Sequence, residues 1–154
     1  MECFGNEVRV MGVRDIPLIK TGDDLGKIIL EAAERQGVSP LDGDVFVVTQ
    51  KIVSKAEGRV FNLKKVKPSS LAKRIARRTD KEAEIVELIL RDAKSIVRLS
   101  GGHIITETRH GWICANSGVD VSNVSGGESA ALLPINPDRS ARQIRIRIEE
   151  LSGR

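Results

Sequence analysis

The segment "VVTQKIVSKAEGRV", residues 47–60, decides how the fold is read. Together with the residues before it, it starts as "DVFVVTQ" (44–50), a run with the pattern of a strand buried on both faces. It then turns polar without becoming a loop tip. Thr49, Gln50, Lys51, Ser54, Lys55, Glu57 and Arg59 interleave with Ile52 and Val53, and Gly58 follows Glu57. A core strand does not need two lysines, and a solvated loop does not need Ile-Val. The strand is expected to continue, or bend, through "KIVSKAEGRVFNL" (51–63), which raises the question of what its polar row faces.

On the N-terminal side, "EVRVMGV" (7–13) alternates as a half-buried strand does. "IPLIK" (16–20) carries Pro17 and reads as an edge strand or extended loop. "TGDDLGKIILEAAERQG" (21–37) reads as a helix capped by Asp23, with Leu25, Ile28, Ile29 and Ala32 on one face and Gly37 as its stop. On the C-terminal side, Pro68-Ser69-Ser70 opens a helix through Arg78, and a second helix covers about residues 80–94 with Ile85, Leu88 and Ile89 inward. "SIVRLS", "HIITETR" and "WICANS" are three consecutive short strands split by Gly101-Gly102 and His110-Gly111. "GVDVSNVSGGES" (118–129) is too polar and glycine-rich for regular structure, and "AALLP" (130–134) is a short buried strand. The last helix begins with Asn136 as N-cap and Pro137 at its first position, with Ala141, Ile144, Ile148 and Leu151 inward. The expected fold class is α+β, mixed sheets with flanking helices, in one domain over residues 1–154.

Composition narrows the function. Charged residues make up 30% and hydrophobic residues 40%, the balance of a soluble globular chain with no membrane span. Cys3 and Cys114 form neither a zinc spacing nor a disulfide framework, so a reducing cytoplasm is the expected setting. One Trp, three Phe and no Tyr argue against a stacking platform for nucleic acid. The net charge of +4 is local: residues 64–81 carry eight Lys/Arg and one Asp. Such a patch attracts polyanions or is a solvated helix face.

The phosphate-loop and dinucleotide-binding fingerprints are absent, as are the hydrolase elbow and the H-E-x-x-H zinc motif. Three polar clusters remain. Lys55 beside Gly58 suits a phosphate, supplying a point charge where bare backbone can approach; an edge strand guarded by lysines would look the same. In "ETRHG" (107–111), His110 is either a general base or ligand, or a turn residue at a hairpin end. In "ANSGVDVSNV" (115–124), Asp120 with Ser122 and Asn123 suits Mg²⁺ or Mn²⁺, or makes Asx-type turn bonds.

Taken together and in order, "IPLIK" (16–20), "GDD" (22–24), "DGDVFVVTQKIVSKAEGR" (42–59), "TETRHG" (106–111), "ANSGVDVSNV" (115–124) and "LLPINPDRSA" (132–141) resemble the coenzyme F-420-0:L-glutamate ligase (gamma-glutamyl ligase) family. The resemblance implies a gamma-glutamyl-ligase-like fold, incomplete relative to the family. It implies GTP contacts from Ile16, Pro17, Leu18, Ile19, Lys55 and Asn123, and from Gln50, where some relatives have serine. It places a divalent metal, Mg²⁺ or Mn²⁺, on Asp120, with a monovalent cation as a further cofactor, and leaves the catalytic residues unassigned.

The implied reaction is GTP-dependent addition of L-glutamate to the deazaflavin coenzyme F-420-0 through an acyl phosphate. The implied assembly is a homodimer, or a pairing with a separate C-terminal half. Family members usually continue past this length, into a strand that ends in a second metal-binding Asp-Thr pair. The chain is therefore expected to be an N-terminal portion that needs the rest for turnover and leaves apolar surface exposed. A non-catalytic nucleotide-binding or assembly module that kept the fold is the alternative.

Overall fold

The computed structural model describes residues 8–121 and 129–153. Its helices are α1 (Leu25–Arg35), α2 (Gln50–Ala56), α3 (Ser70–Thr79), α4 (Ala83–Asp92) and α5 (Pro137–Ser152). Its strands are β1 (Val60–Asn62), β2 (Ala93–Ser100), β3 (His103–Thr108), β4 (Ile113–Ala115) and β5 (Ser129–Ala131). This is the expected α+β class, with two small antiparallel sheets in the orders β1-β5 and β2-β3-β4.

The middle of the chain follows its sequence pattern. β2, β3 and β4 are the three consecutive strands, with Ile104 paired to Leu99 and Ile105 to both Arg98 and Ala115. The buried side of β3 alternates through Ile104, Thr106 and Thr108, the period of a half-buried strand. Ile104 packs with Val86 and Ile89 of α4 and with Ala72, Ile75 and Ala76 of α3. Ser69 caps α3 by accepting a hydrogen bond from the Ala72 N–H.

The ends of the chain meet around α5. Asn136 Oδ1 accepts from the Arg139 N–H, Pro137 opens the helix, and Gly153 closes it in the left-handed conformation. Ile148 joins Ile19, Leu25, Ile29 and Val53 in a second core cluster. Gly26 lets α1 approach closely: a Cβ built there would lie 2.7 Å from the Arg147 Cβ. Arg147 also binds Asp24 Oδ2 at 2.7 Å. Asp24, not Asp23, is the cap of α1: its Oδ1 accepts from Lys27 N, while Asp23 Oδ2 accepts from Lys20 N and shapes the turn before the helix. On α5, Ala141 and Leu151 are exposed, and Ser140 and Ile148 are the buried positions.

Three expectations about strands fail, for one reason. Residues 44–49 form no strand: Val45 is 84% exposed and Val47 91% exposed. Residues 8–13 form none either, with Val8 and Val10 facing solvent. Neither segment has a β-ladder partner among the described residues, and a strand exists only by pairing. The polar row of 50–56 is instead a helix, α2, and the chain becomes a strand only at Val60, where β1 pairs with β5.

Candidate functional site

α2 is short and has no side-chain cap at Thr49, so its neighbours hold it. Val53 enters the core with Ile19, and Ile52 and Ala56 pack at its edge. Gln50 uses its carboxamide as a clamp: Nε2 donates to Ser54 Oγ at 2.6 Å and to the Leu132 carbonyl at 3.2 Å. At the far end of the helix, the Gly22 N–H donates to the Ala56 carbonyl at 2.8 Å and Thr21 Oγ1 donates to the Lys55 carbonyl. The "IPLIK" segment therefore runs against α2. Ile19 is its buried anchor, Ile16 is half-buried, and Pro17 and Leu18 face outward.

The charged groups gather on one side of α2. Lys51 Nζ lies 2.8 Å from Asp120 Oδ2. Asp120 is fixed by its own backbone, which exchanges two 2.9 Å hydrogen bonds with Ala131 at the end of β5. Lys51 and Lys55, four residues apart, sit one turn apart on the same helix face. On a strand the same spacing would separate them by about 13 Å, and on a helix it brings them to roughly 6 Å. The structure thus brings together Lys55, the Lys51–Asp120 pair and the Ile16–Ile19 segment, with Gln50 beneath. Asn123 and Ser122 lie outside the described residues. Among the described residues, no hydrogen bond or ion pair holds the Lys55 ammonium. Lys51 was not among the residues expected at the site, and its signal was the four-residue spacing to Lys55.

A divalent cation does not fit the described residues by themselves. No three of His, Cys, Asp and Glu converge among them. The carboxylate of Asp120 already faces an ammonium.

The neighbouring polar residues are structural joints. Arg59 donates from Nη2 to both carboxylate oxygens of Asp92 at 2.7 Å and from Nε to the Leu133 carbonyl at 3.0 Å. Both partners of that pair are largely buried. Glu57 accepts from Ser140 Oγ at the start of α5. His110 Nε2 lies 3.0 Å from the Pro134 carbonyl and 3.1 Å from that of Ile135, so Nε2 carries the proton and donates. Its ring stacks on Trp112 with centroids 5.0 Å apart. His110 thus ties the β3–β4 turn to the approach of α5. In the same motif, the ammonium of Lys94 beside Glu107, at 2.6 Å, holds that carboxyl below its ordinary range. Exposed Arg74, Arg77 and Arg78 belong to α3, whose Ala72, Ile75 and Ala76 face the core.

A groove of about 490 Å³ lies beside α2, walled by Val45, Phe46 and Val48 on one side and Ile144 and Ile148 of α5 on the other, with Trp112 at its rim. Its lining is mostly apolar, in contrast to the charged side of α2.

Comparison with known proteins places this arrangement in a family. A family model described as F420-0:Gamma-glutamyl ligase matches residues 13–154. The coenzyme F420:L-glutamate ligase of Methanothermobacter thermautotrophicus is 44% identical over 147 residues, covering 96% of this chain and 58% of the relative. That of Methanopyrus kandleri is 46% identical over 144 residues, covering 92% and 55%. That of Methanocaldococcus jannaschii is 40% identical over 148 residues, covering 96% and 57%. The chain belongs to the F420-0:gamma-glutamyl ligase family and spans a little over half the length of the curated relatives it matches.

Proposed function

Proceeding from that membership, we propose that the chain carries the N-terminal nucleotide-binding portion of a GTP-dependent amide ligase that adds L-glutamate to coenzyme F-420-0. The observation that carries the proposal is the Lys55 ammonium. No described residue engages it, it shares a helix face with the Lys51–Asp120 pair, and it stands beside the Ile16–Ile19 segment. Two lysines about one turn apart, with exposed Leu18 and Pro17 nearby, suit a triphosphate and its base: ammonium groups for the phosphate oxygens, an apolar surface for the ring.

The reaction has two steps. The terminal carboxylate of F-420-0 attacks the γ-phosphorus of GTP, giving an acyl phosphate and releasing GDP. The glutamate amine then attacks the acyl carbon, phosphate leaves with the bonding pair, and the amine loses a proton. Lys55 and Lys51 stabilise phosphate charge in the first step, and Gln50 holds the helix that presents them. Mg²⁺ or Mn²⁺ would supply further charge neutralisation, with Asp120 as one donor and the rest from outside the described residues. The exposed arginines of α3 gather anionic substrate from a distance. No helix among the described residues is long and apolar enough to cross a membrane.

A second reading, a nucleotide-binding or assembly module without turnover, is favoured by the Lys51 ammonium that the Asp120 carboxylate faces in place of a metal. Titration calorimetry of GTP into the chain, with Mn²⁺ and with EDTA, tests the nucleotide site. Wild type is expected to bind, Lys55→Gln to bind at least ~10-fold more weakly, and Asp120→Asn to lose any metal dependence. Equal binding by wild type and Lys55→Gln would end the assignment. Ligase turnover separates the two readings.

A further inference from the structure

The segment from Val45 to Thr49 has the sequence of an inner strand and the surroundings of an edge. Its side chains are all β-branched or aromatic, yet Val45 and Val47 point almost wholly into solvent. Among the described residues, no backbone N–H or carbonyl of Val45–Val48 makes a hydrogen bond to backbone. Val45, Phe46 and Val48 border the apolar groove with α5, and of the three only Val48 is half-buried. The segment is thus anchored at Val48 alone, and among the described residues its ladder edge is open. Val8–Val13 repeats the pattern: Val8 and Val10 are exposed and no ladder forms. A monomer rarely leaves two apolar strand-like runs uncovered.

The comparisons say what is available to cover them. The relatives match this chain almost from end to end, yet roughly two fifths of the Methanothermobacter thermautotrophicus ligase lies outside the match. From this we infer that Val45–Thr49 is a docking edge, and that its occupant is a polypeptide equivalent to that unmatched portion, which adds at least one β-strand along the edge and covers Val45 and Val47. Backbone pairing supplies the ladder that the segment lacks, and the valines supply the apolar face, as in strand addition to an open sheet edge. Val48, already half-buried beside the groove, sets the register. The inference rests on family membership and the open edge, not on the ligase reading, and its test reads no nucleotide or turnover.

The experiment co-expresses this chain, carrying an affinity tag, with the unmatched portion of the Methanothermobacter thermautotrophicus ligase as a separate polypeptide. The two are expected to co-purify in equal amounts, and amides 45–49 to gain protection from hydrogen exchange in the complex. Val45→Asp/Val47→Asp is expected to reduce the recovered partner at least ~10-fold, because a buried unpaired carboxylate opposes docking. The same variant should leave the melting curve of the chain alone unchanged, since both side chains are exposed there. Val47→Pro, which removes a donor the isolated chain does not use, should reproduce the loss. Failure to co-purify, or co-purification indifferent to these variants, would overturn the inference. So would a homodimer of the chain alone that the double variant dissolves, since the occupant would then be a second copy.

Discussion

Residues 103–108 and 45–49 are both rich in β-branched residues and both read as strands. In the first, Ile104 is fully buried and the strand is paired on both sides, to β2 and to β4. In the second, Val45, Phe46 and Val47 are all exposed and no ladder forms among the described residues. The difference is not propensity. β3 finds its partners fifteen or fewer residues away on either side, through tight turns at Gly101-Gly102 and Gly111. Among the described residues, the 45–49 run has no such neighbour. A strand sequence specifies a face and a period; whether it becomes a strand depends on a partner being within reach.

Truncation sharpens the contrast most. Ile104→Ala is expected to cost about 2–5 kcal/mol, because it opens a cavity against α3 and α4. Val47→Ala, the same kind of change at an exposed position, should stay within ~0.5 kcal/mol. Urea unfolding of both variants checks this, and a comparable loss at Val47 would break the comparison.

The joint between the two regions comes next. Arg59 leaves the end of α2 and binds Asp92 where α4 meets β2. Asp92→Asn removes a charge from a largely buried, two-pronged pair and is expected to cost about 2–3 kcal/mol in the same assay.

The smallest effect is electrostatic. Glu87 Oε2 accepts from the Ser69 N–H, the first cause of a carboxyl held below its ordinary range; burial works the other way, and Arg91 adds to the lowering. A carboxyl with a depressed folded value stabilises the fold above its unfolded value of 4.5 and loses that contribution as pH falls through the folded value. Glu87→Gln should therefore flatten the acid limb of stability below pH ~4.5 and leave its slope near neutrality unchanged. Denaturant midpoints taken across that range read the slope.

Much of the fold was legible because local signals agreed. Asn136-Pro137 and Gly153 bounded α5, Ser69 opened α3, and the glycine pairs split the three central strands. α2 was misread because Ile52-Val53 continues a β-branched run. The spacing Val48, Ile52, Val53, Ala56 nevertheless carries a helical period, and all four residues pack at one core. At the candidate site, Lys55 and Asp120 were singled out from their polar clusters, and the family resemblance added Gln50 and Ile16–Ile19. Lys51 was not singled out, although its four-residue spacing to Lys55 was in view, and the Arg59–Asp92 fork was not, because pairing between residues 59 and 92 leaves no local trace in the sequence. Asp23 and Asp24 are equally good caps by type, and only the arrival of Arg147 from α5 singles out Asp24.

Residues 45–49 have strand sequence without a strand's ladder among the described residues. Native-state hydrogen exchange on the chain alone, at a concentration where sedimentation shows a monomer, tests it directly. The account predicts that amides 45–49 exchange at nearly unprotected rates while those of Ile104–Thr106 exchange only on global unfolding. Protection at 45–49 matching that of β3 would contradict it.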